Sequence, residues 1–84
     1  MAQAVDDATG KAISHLFDLK SRPDRSGILA GVVQGHIKRV KDSKDKRILK
    51  DALEDLVDCG GHKRAINAWE RRFTKIMDKR GWKP

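Results

Sequence analysis

Large apolar residues recur with the period of an α-helix between positions 62 and 82. Successive members are three, four, three and one residues apart, which places all of them on one helical face. The row consists of Ile66, Trp69, Phe73, Ile76 and Met77. This pattern predicts a long amphipathic helix that supplies much of the hydrophobic core, with Trp69 and Phe73 mostly buried.

The rest of the same predicted helix is strongly basic. Seven cations lie off the apolar row, against two acidic residues, Glu70 and Asp78. The cations are Lys63, Arg64, Arg71, Arg72, Lys75, Lys79 and Arg80. We therefore expect one helix to bury an aromatic row and to present a positive surface to solvent.

The chain has 84 residues, the length of one small domain, which we assign to 1–84 with 1–5 as a flexible tail. A chain this short buries roughly 60–65% of its unfolded surface, so its core is modest. Charged residues form 37% of the sequence, above the usual proportion of about 25%. Because an unpaired buried charge is costly, most of these side chains are expected on solvated faces.

The balance of charge indicates an acidic partner. Nineteen Lys and Arg against twelve Asp and Glu give a net charge of +7, and nucleic acid is the commonest partner of so basic a small chain. The alternative is a soluble basic protein with no such partner. A lone cysteine, Cys59, excludes an internal disulfide and suits a reducing compartment. Since neither a membrane span nor a signal-peptide pattern is present, we expect a cytoplasmic protein without membrane contact.

Acidic residues and proline, which favour or disfavour particular helix positions, predict the bounds of the first two helices. The acidic pair Asp6 and Asp7 favours the start of a helix, which should end near residues 20–21 because the residue before Pro23 is disfavoured in a helix. Pro23 suits the first position of the second helix. Its apolar stripe consists of Leu29, Val32, Val33, His36, Ile37 and Val40.

Glycines recur every fourth residue along this second helix, at Gly27, Gly31 and Gly35. They leave one helix face without side chains. We interpret that face as the place where a neighbouring helix packs closely. Glycine also lowers the intrinsic stability of the helix.

The third helix is predicted to begin in the polar turn 42–45, with Ser43 or Asp45 as its N-cap. Gly60 is the natural left-handed residue that ends it. Its apolar stripe consists of Ile48, Leu49, Ala52, Leu53, Leu56 and Val57, and its second half carries Asp51, Glu54, Asp55 and Asp58. The fold class that follows is all-α, a single domain of about four helices.

Two arrangements of the third and fourth helices remain open. Helices joined through Cys59, Gly60 and Gly61 have the lengths of a helix-turn-helix motif, and they equally suit a plain helical hairpin with a basic solvated face. In the first case the exposed start of the fourth helix would enter the DNA major groove. Arg reads guanine, Asn reads adenine and Lys contacts phosphate at such a site. The candidate residues are His62, Lys63, Arg64, Asn67 and Arg71.

A nucleic-acid surface without a named motif needs only clustered positive charge, because phosphate contacts dominate affinity. Arg72, Lys75 and Lys79 extend the candidate surface along the fourth helix, and Lys38 and Arg39 extend it near the second turn. Trp82 is either exposed for stacking or packed at the end of the helix.

No catalytic or metal site is predicted. Cys59 and His62 have a C-x-x-H spacing but lack the further ligands that a metal needs, and no group that would activate a cysteine nucleophile accompanies Cys59. Phosphate-binding loops and nucleotide fingerprints are absent, so we expect no cofactor.

The function that this sequence favours is non-enzymatic binding of nucleic acid, specifically duplex DNA, through the basic C-terminal helix. The alternative is a small protein-binding regulator, inhibitor or adaptor of the kind that phages and plasmids encode. The sequence leaves the oligomeric state open.

Overall fold

The computed structural model describes residues 7–82, and within them the chain forms four α-helices. These are α1 (Asp7–Ser21), α2 (Ser26–Ile37), α3 (Ser43–Asp58) and α4 (Lys63–Arg80). The all-α prediction is confirmed. Asp6 and the predicted tail 1–5 lie outside the described residues. No helix between residues 7 and 82 combines the length and the hydrophobicity needed to cross a membrane.

The core forms where α1 meets the other helices. The most extensive helix contact is between α1 and α2, and α3 packs against both of them. Ala12, Ile13 and Leu16 of α1 are fully buried, together with Val33 of α2 and Leu49 of α3. Val33 and Leu49 belong to the apolar stripes that the sequence predicts for α2 and α3.

The predicted aromatic row of α4 closes this core. Trp69 and Phe73 are each only 1% exposed, which confirms that the amphipathic pattern faces inward. Their rings stack with centroids 5.0 Å apart, and the half-buried Phe17 of α1 meets both. Trp82, whose position the sequence left open, is also buried.

The relation between α3 and α4 is that of an antiparallel hairpin. The Trp69 indole donates a hydrogen bond to the Ala52 carbonyl at 2.8 Å, and Arg80 at the end of α4 pairs with Asp45 at the start of α3. Arg80 lies about 26 Å from the turn along α4, and Asp45 lies about 20 Å from the turn along α3. The crossing of roughly 90–120° in a helix-turn-helix motif would hold such ends more than about 20 Å apart. The contacts therefore correspond to the plain hairpin rather than to the helix-turn-helix arrangement.

Glycines follow the ends of α3 and α4, and the sequence predicts the first of them, Gly60. Gly60, Gly61 and Gly81 have φ values of +59°, +81° and +72°, a region that residues with a Cβ rarely adopt. After α4 the Gly81 N–H bonds to the Asp78 carbonyl and the Trp82 N–H bonds to the Met77 carbonyl, which is a Schellman motif. This motif returns Trp82 to the core.

The predicted N-cap of α3 is wrong. Asp42, rather than Ser43 or Asp45, accepts hydrogen bonds from the backbone N–H groups of Lys44 and Asp45 at 2.8 and 3.0 Å. These bonds, chiefly the one from the Asp45 N–H, lower the pKa of the Asp42 carboxyl below its ordinary value. The cap belongs to Asp42 because its extended backbone aims the carboxylate at the first turn.

Two expectations for α2 also need correction. Pro23 begins a three-residue 3₁₀ turn, Pro23–Arg25, and α2 itself starts at Ser26 and ends before Val40. The glycine face does not receive a neighbouring helix. A Cβ placed on Gly27, Gly31 or Gly35 would meet nothing within 4 Å, because α1 and α3 cover the other side of α2.

Candidate nucleic-acid interface

The start of α4 is electropositive. His62 is the N-cap residue but its side chain makes no capping hydrogen bond, and the first turn contains Lys63 and Arg64 with no acidic residue. By contrast, α1 begins with Asp7, and α3 begins with the Asp42 cap. Cations at the positive end of a helix dipole are unfavourable for an isolated helix, and the unbonded N–H groups there favour an anion.

The outward face of α4 carries a continuous polar row. Arg64, Asn67, Arg71 and Lys75 follow one another at intervals of three, four and four residues, and all four are exposed. This spacing aligns them along the side opposite the buried Trp69. We call these four residues the α4 row. Of the ten residues that the sequence predicts for the interface, the structure aligns these four most directly.

Asn67 and Arg71 lie one turn apart at the centre of the α4 row. Together with Glu70 and Thr74 they line a shallow depression of about 430 Å³. The depression therefore presents an amide, a hydroxyl and a guanidinium side by side. These are groups that donate and accept hydrogen bonds at nucleotide bases and phosphates.

Arg72 and Lys79 are exposed on the flank of α4 that turns towards α3. Arg72 lies close enough to the end of α3 to act electrostatically on the Cys59 thiol, where Asp55 and Asp58 also act. This flank therefore combines positive charge from α4 with negative charge from α3.

Two charged residues of α4 are used inside the fold. Arg80 pairs with Asp45 and also covers the Trp82 ring, with its guanidinium carbon 5.4 Å from the ring centroid. The Glu70 carboxylate pairs with the ammonium of Lys20 at 2.8 Å. Arg80 is exposed as expected, but these tertiary contacts hold its side chain.

Lys38 and Arg39 do not join the α4 row. They follow the end of α2, where Lys38 lines a groove between α2 and α3 together with Lys46 and Lys50. Among the described residues α2 has its contacts with α1 and α3 and no substantial contact with α4. The structure thus divides the predicted positive surface into two separate regions.

Cys59 is a buried structural residue. The residue is 7% exposed, and its thiol donates a hydrogen bond to the Asp55 carbonyl at 3.3 Å. Burial is the largest influence on this group and raises the pKa of the thiol, which keeps it protonated and weakly nucleophilic at neutral pH. Within residues 7–82 no three His, Cys, Asp or Glu side chains gather in a way that could hold a metal ion.

The stacked pair His15 and His36 is a feature that the sequence analysis did not identify. Their rings lie 4.9 Å apart and almost parallel, between α1 and α2. The pKa of His36 is lowered mainly by burial and next by the neighbouring His15 imidazole. The signal available in the sequence was the position of His36 on the apolar stripe of α2.

Comparisons with protein-family models, with curated proteins and with solved structures found no match for this chain.

Proposed function

We propose that this protein is a non-enzymatic nucleic-acid-binding protein that contacts duplex DNA through the α4 row. The observation that carries the proposal is the exposure of Arg64, Arg71 and Lys75 along one side of a rigid helix. None of the three takes part in an ion pair between described residues. Three aligned, solvated cations are available for phosphate contacts.

The dimensions of the row suit a duplex. Arg64 and Lys75 are 11 residues apart, which corresponds to about 17 Å along the helix axis. The major groove is about 12 Å wide and admits one α-helix, so the ends of the row would reach the phosphates and its centre would face base edges. Arg71 and Asn67 occupy that centre, and both side chains are of types that read bases.

The start of α4 supports the same orientation. The helix dipole, Lys63 and Arg64 all attract an anion to this end, and no acidic residue of the first turn opposes them. A phosphate bound there would remove the repulsion between the helix dipole and the two cations. His62 is exposed beside it.

Duplex rather than single-stranded nucleic acid is favoured by where the aromatic rings lie. Binders of single strands stack bases on exposed aromatic side chains. Here Trp69, Phe73 and Trp82 are buried, and Phe17 packs against the first two. Contacts with a phosphate backbone and with groove edges do not need such rings.

The test is a titration of labelled duplex DNA at several salt concentrations, with two charge variants compared. One variant combines Arg64→Gln, Arg71→Gln and Lys75→Gln on α4. Its matched control combines Arg39→Gln, Lys44→Gln and Arg47→Gln, which removes the same charge from exposed positions at the turn between α2 and α3 and at the start of α3. Each phosphate contact contributes about 0.9 to the slope of log K against log salt, so the first variant should lose up to about 2.7 of slope and the control much less.

Two results would count against the proposal. Equal losses in the two variants would mean that net charge alone drives binding. A wild-type protein that binds no duplex at low salt would favour the alternative, a regulator that binds another protein. Single-stranded DNA and duplex RNA titrated in parallel identify the class of nucleic acid directly.

A further inference from the structure

One side of α2 is apolar, exposed and free of charge. Gly27, Ile28, Gly31, Val32 and Gly35 lie on it, and we call these five residues the α2 face. Ile28 is 72% exposed and Val32 is 38% exposed, and both belong to the small set of large hydrophobic residues that remain exposed between residues 7 and 82. From Ser26 to Ile37 the helix contains no Asp, Glu, Lys or Arg.

Packing within one molecule does not account for this composition. A methyl group on Gly27, Gly31 or Gly35 would meet no atom within 4 Å, so the fold itself does not require glycine there. Glycine in a helix interior lowers helix stability, and exposed Ile28 is unfavourable in water. Both features become favourable when another helix backbone approaches closely.

A groove adjoins the α2 face and runs between α2 and α3. It has a volume of about 760 Å³, and its apolar floor includes Ala30, Leu53 and the 45%-exposed Val57. Lys38, Lys46 and Lys50 lie along one half of the groove, whereas Glu54 and Asp58 lie along the other half. The groove is therefore polarised, from a basic end to an acidic end.

We propose that the α2 face and this groove bind a second copy of the same chain. Two copies that pair through the same patch are related by a two-fold axis. A contact between one residue of the first copy and another residue of the second copy therefore occurs twice, with the two copies exchanged. Two face-to-face orientations satisfy that symmetry. The parallel one sets the Lys38 and Lys46 ends against each other, and the antiparallel one sets each basic end against the partner's acidic end.

The charges select the antiparallel orientation and explain why the occupant is another copy. Lys46 and Asp58 are each six residues from Ala52 on α3. A two-fold axis at the level of Ala52 therefore places Lys46 of each copy next to Asp58 of the other copy. Gly31 lies near the middle of α2, where the two α2 backbones cross most closely. The positive α4 row lies on a helix that has no substantial contact with α2 among the described residues, so it is not part of the contact.

The first test measures the oligomeric state by sedimentation equilibrium over a range of concentrations near physiological salt. Wild-type protein should dimerise with rising concentration. Gly31→Arg should be monomeric because its side chain fills the crossing point, while its thermal melt stays cooperative. Ser14→Arg on the exposed side of α1 adds the same charge elsewhere and should dimerise as the wild type does. Wild-type protein that remains monomeric up to about 1 mM overturns the proposal.

The second test exchanges the charges across the contact. Lys46→Glu alone and Asp58→Lys alone each place like charges opposite one another, so each variant should dimerise at least tenfold more weakly. An equimolar mixture of the two variants should form heterodimers, since every contact between them is then attractive. The double variant should recover self-association. If the mixture stays as weakly associated as its components, the antiparallel contact is wrong.

These tests are independent of DNA binding. Arg64, Arg71 and Lys75 are not part of the contact, so the α4 charge variant should dimerise normally. Conversely, Gly31→Arg leaves the α4 row intact, and its binding to duplex DNA as a monomer can be measured separately. Failure of one proposal is thereby distinguished from failure of the other.

Discussion

The indole N–H of Trp69 donates a hydrogen bond to the carbonyl oxygen of Ala52 at 2.8 Å. This buried bond joins the middle of α4 to the middle of α3. The same indole stacks on Phe73 and meets the edge of Phe17 from α1. One side chain therefore holds three helices in register and orients the α4 row on the opposite side of its helix.

Replacing Trp69 should destabilise the whole domain. We expect Trp69→Ala to lower the free energy of unfolding by about 3–5 kcal/mol, a large part of the about 5–15 kcal/mol typical of domains. Trp69→Phe keeps an aromatic ring but loses the hydrogen bond and some volume, and it should cost about 1–3 kcal/mol. Urea denaturation followed by circular dichroism measures both values, with exposed Thr74→Ala as the control. Unchanged stability of Trp69→Ala would contradict the arrangement of this core.

The pair Arg80 and Asp45 should contribute measurably to the hairpin. Their side chains are 30% and 18% exposed, so solvent screens the interaction only in part. A double-mutant cycle with Arg80→Ala and Asp45→Ala should give a coupling energy of about 0.5–1 kcal/mol that weakens in high salt.

The control for this cycle is the pair Lys11 and Asp7 on α1, whose side chains are 54% and 86% exposed. Its coupling energy should be close to zero because both groups are solvated. Equal coupling energies in the two cycles would show that Arg80 does not connect the far ends of α3 and α4.

Helix periodicity explains why most of the fold could be predicted. The apolar stripes predicted for α2, α3 and α4 follow the 3.6-residue repeat, and Val33, Leu49, Trp69 and Phe73 on them are buried. Val32 and Val57 lie on the same predicted stripes but are exposed. Glycine signals the ends of α3 and α4 because it readily adopts positive φ. These are local rules, and they hold without knowledge of the neighbouring helices.

The incorrect expectations, and the contacts that the sequence did not predict, concern features that depend on neighbours. An empty helix face at Gly31 looks the same in the sequence whether a helix or solvent covers it. Arg80 was grouped with the other cations because nothing local reveals Asp45 on another helix. The turn at Gly60 suits both a hairpin and a helix-turn-helix motif, since the crossing angle is decided by packing far from the turn.

Glycine substitutions should have opposite effects on α2 and at the turn. Gly31→Ala should raise the free energy of unfolding by about 0.5–1 kcal/mol, because alanine favours the helix and its Cβ meets no atom in the monomer. Gly60→Ala should lower it by about 1–2 kcal/mol, because φ of +59° is strained for any residue with a Cβ. Both variants are measured by thermal melts at low protein concentration, where the protein is monomeric and dimerisation does not affect the measured stability. Destabilisation by Gly31→Ala would mean that a neighbour covers this face in the monomer.

Stability should fall in mild acid because of His36. Its pKa is lowered in the folded protein first by burial and then by His15, Lys11 and Arg39, and it is raised to a smaller extent by Asp7. The unfolded chain therefore binds a proton more readily. The contribution of His36 to the free energy of unfolding is fully present above its ordinary pKa of 6.5. This contribution is lost as the pH falls from 6.5 towards the lower pKa of the folded protein.

The pH dependence can be isolated with His36→Gln. Melting temperatures are measured between about pH 5 and 7, because this window lies above the pH range in which most carboxylates titrate. In this window the wild-type melting temperature should decrease with falling pH, and the variant should show a flatter profile. His62→Gln, which removes an imidazole from an exposed position, is the matched control. An unchanged slope in His36→Gln would exclude His36 as the source.

Asn67 provides the sharpest test of how the α4 row meets DNA. It shares a depression with Arg71 at the centre of the row, whereas Arg64 and Lys75 lie towards the ends. A central amide that reads a base contributes discrimination of about 1–3 kcal/mol, whereas the terminal cations contribute affinity for any sequence. Selection from a pool of random duplexes, followed by titration of the selected duplex and a scrambled one, measures both quantities. Asn67→Ala should bring the two affinities together with little change for the scrambled duplex, and Lys75→Ala should weaken both equally. If Asn67→Ala weakens the two duplexes by the same factor, then α4 contacts the phosphate backbone and reads no base at this position.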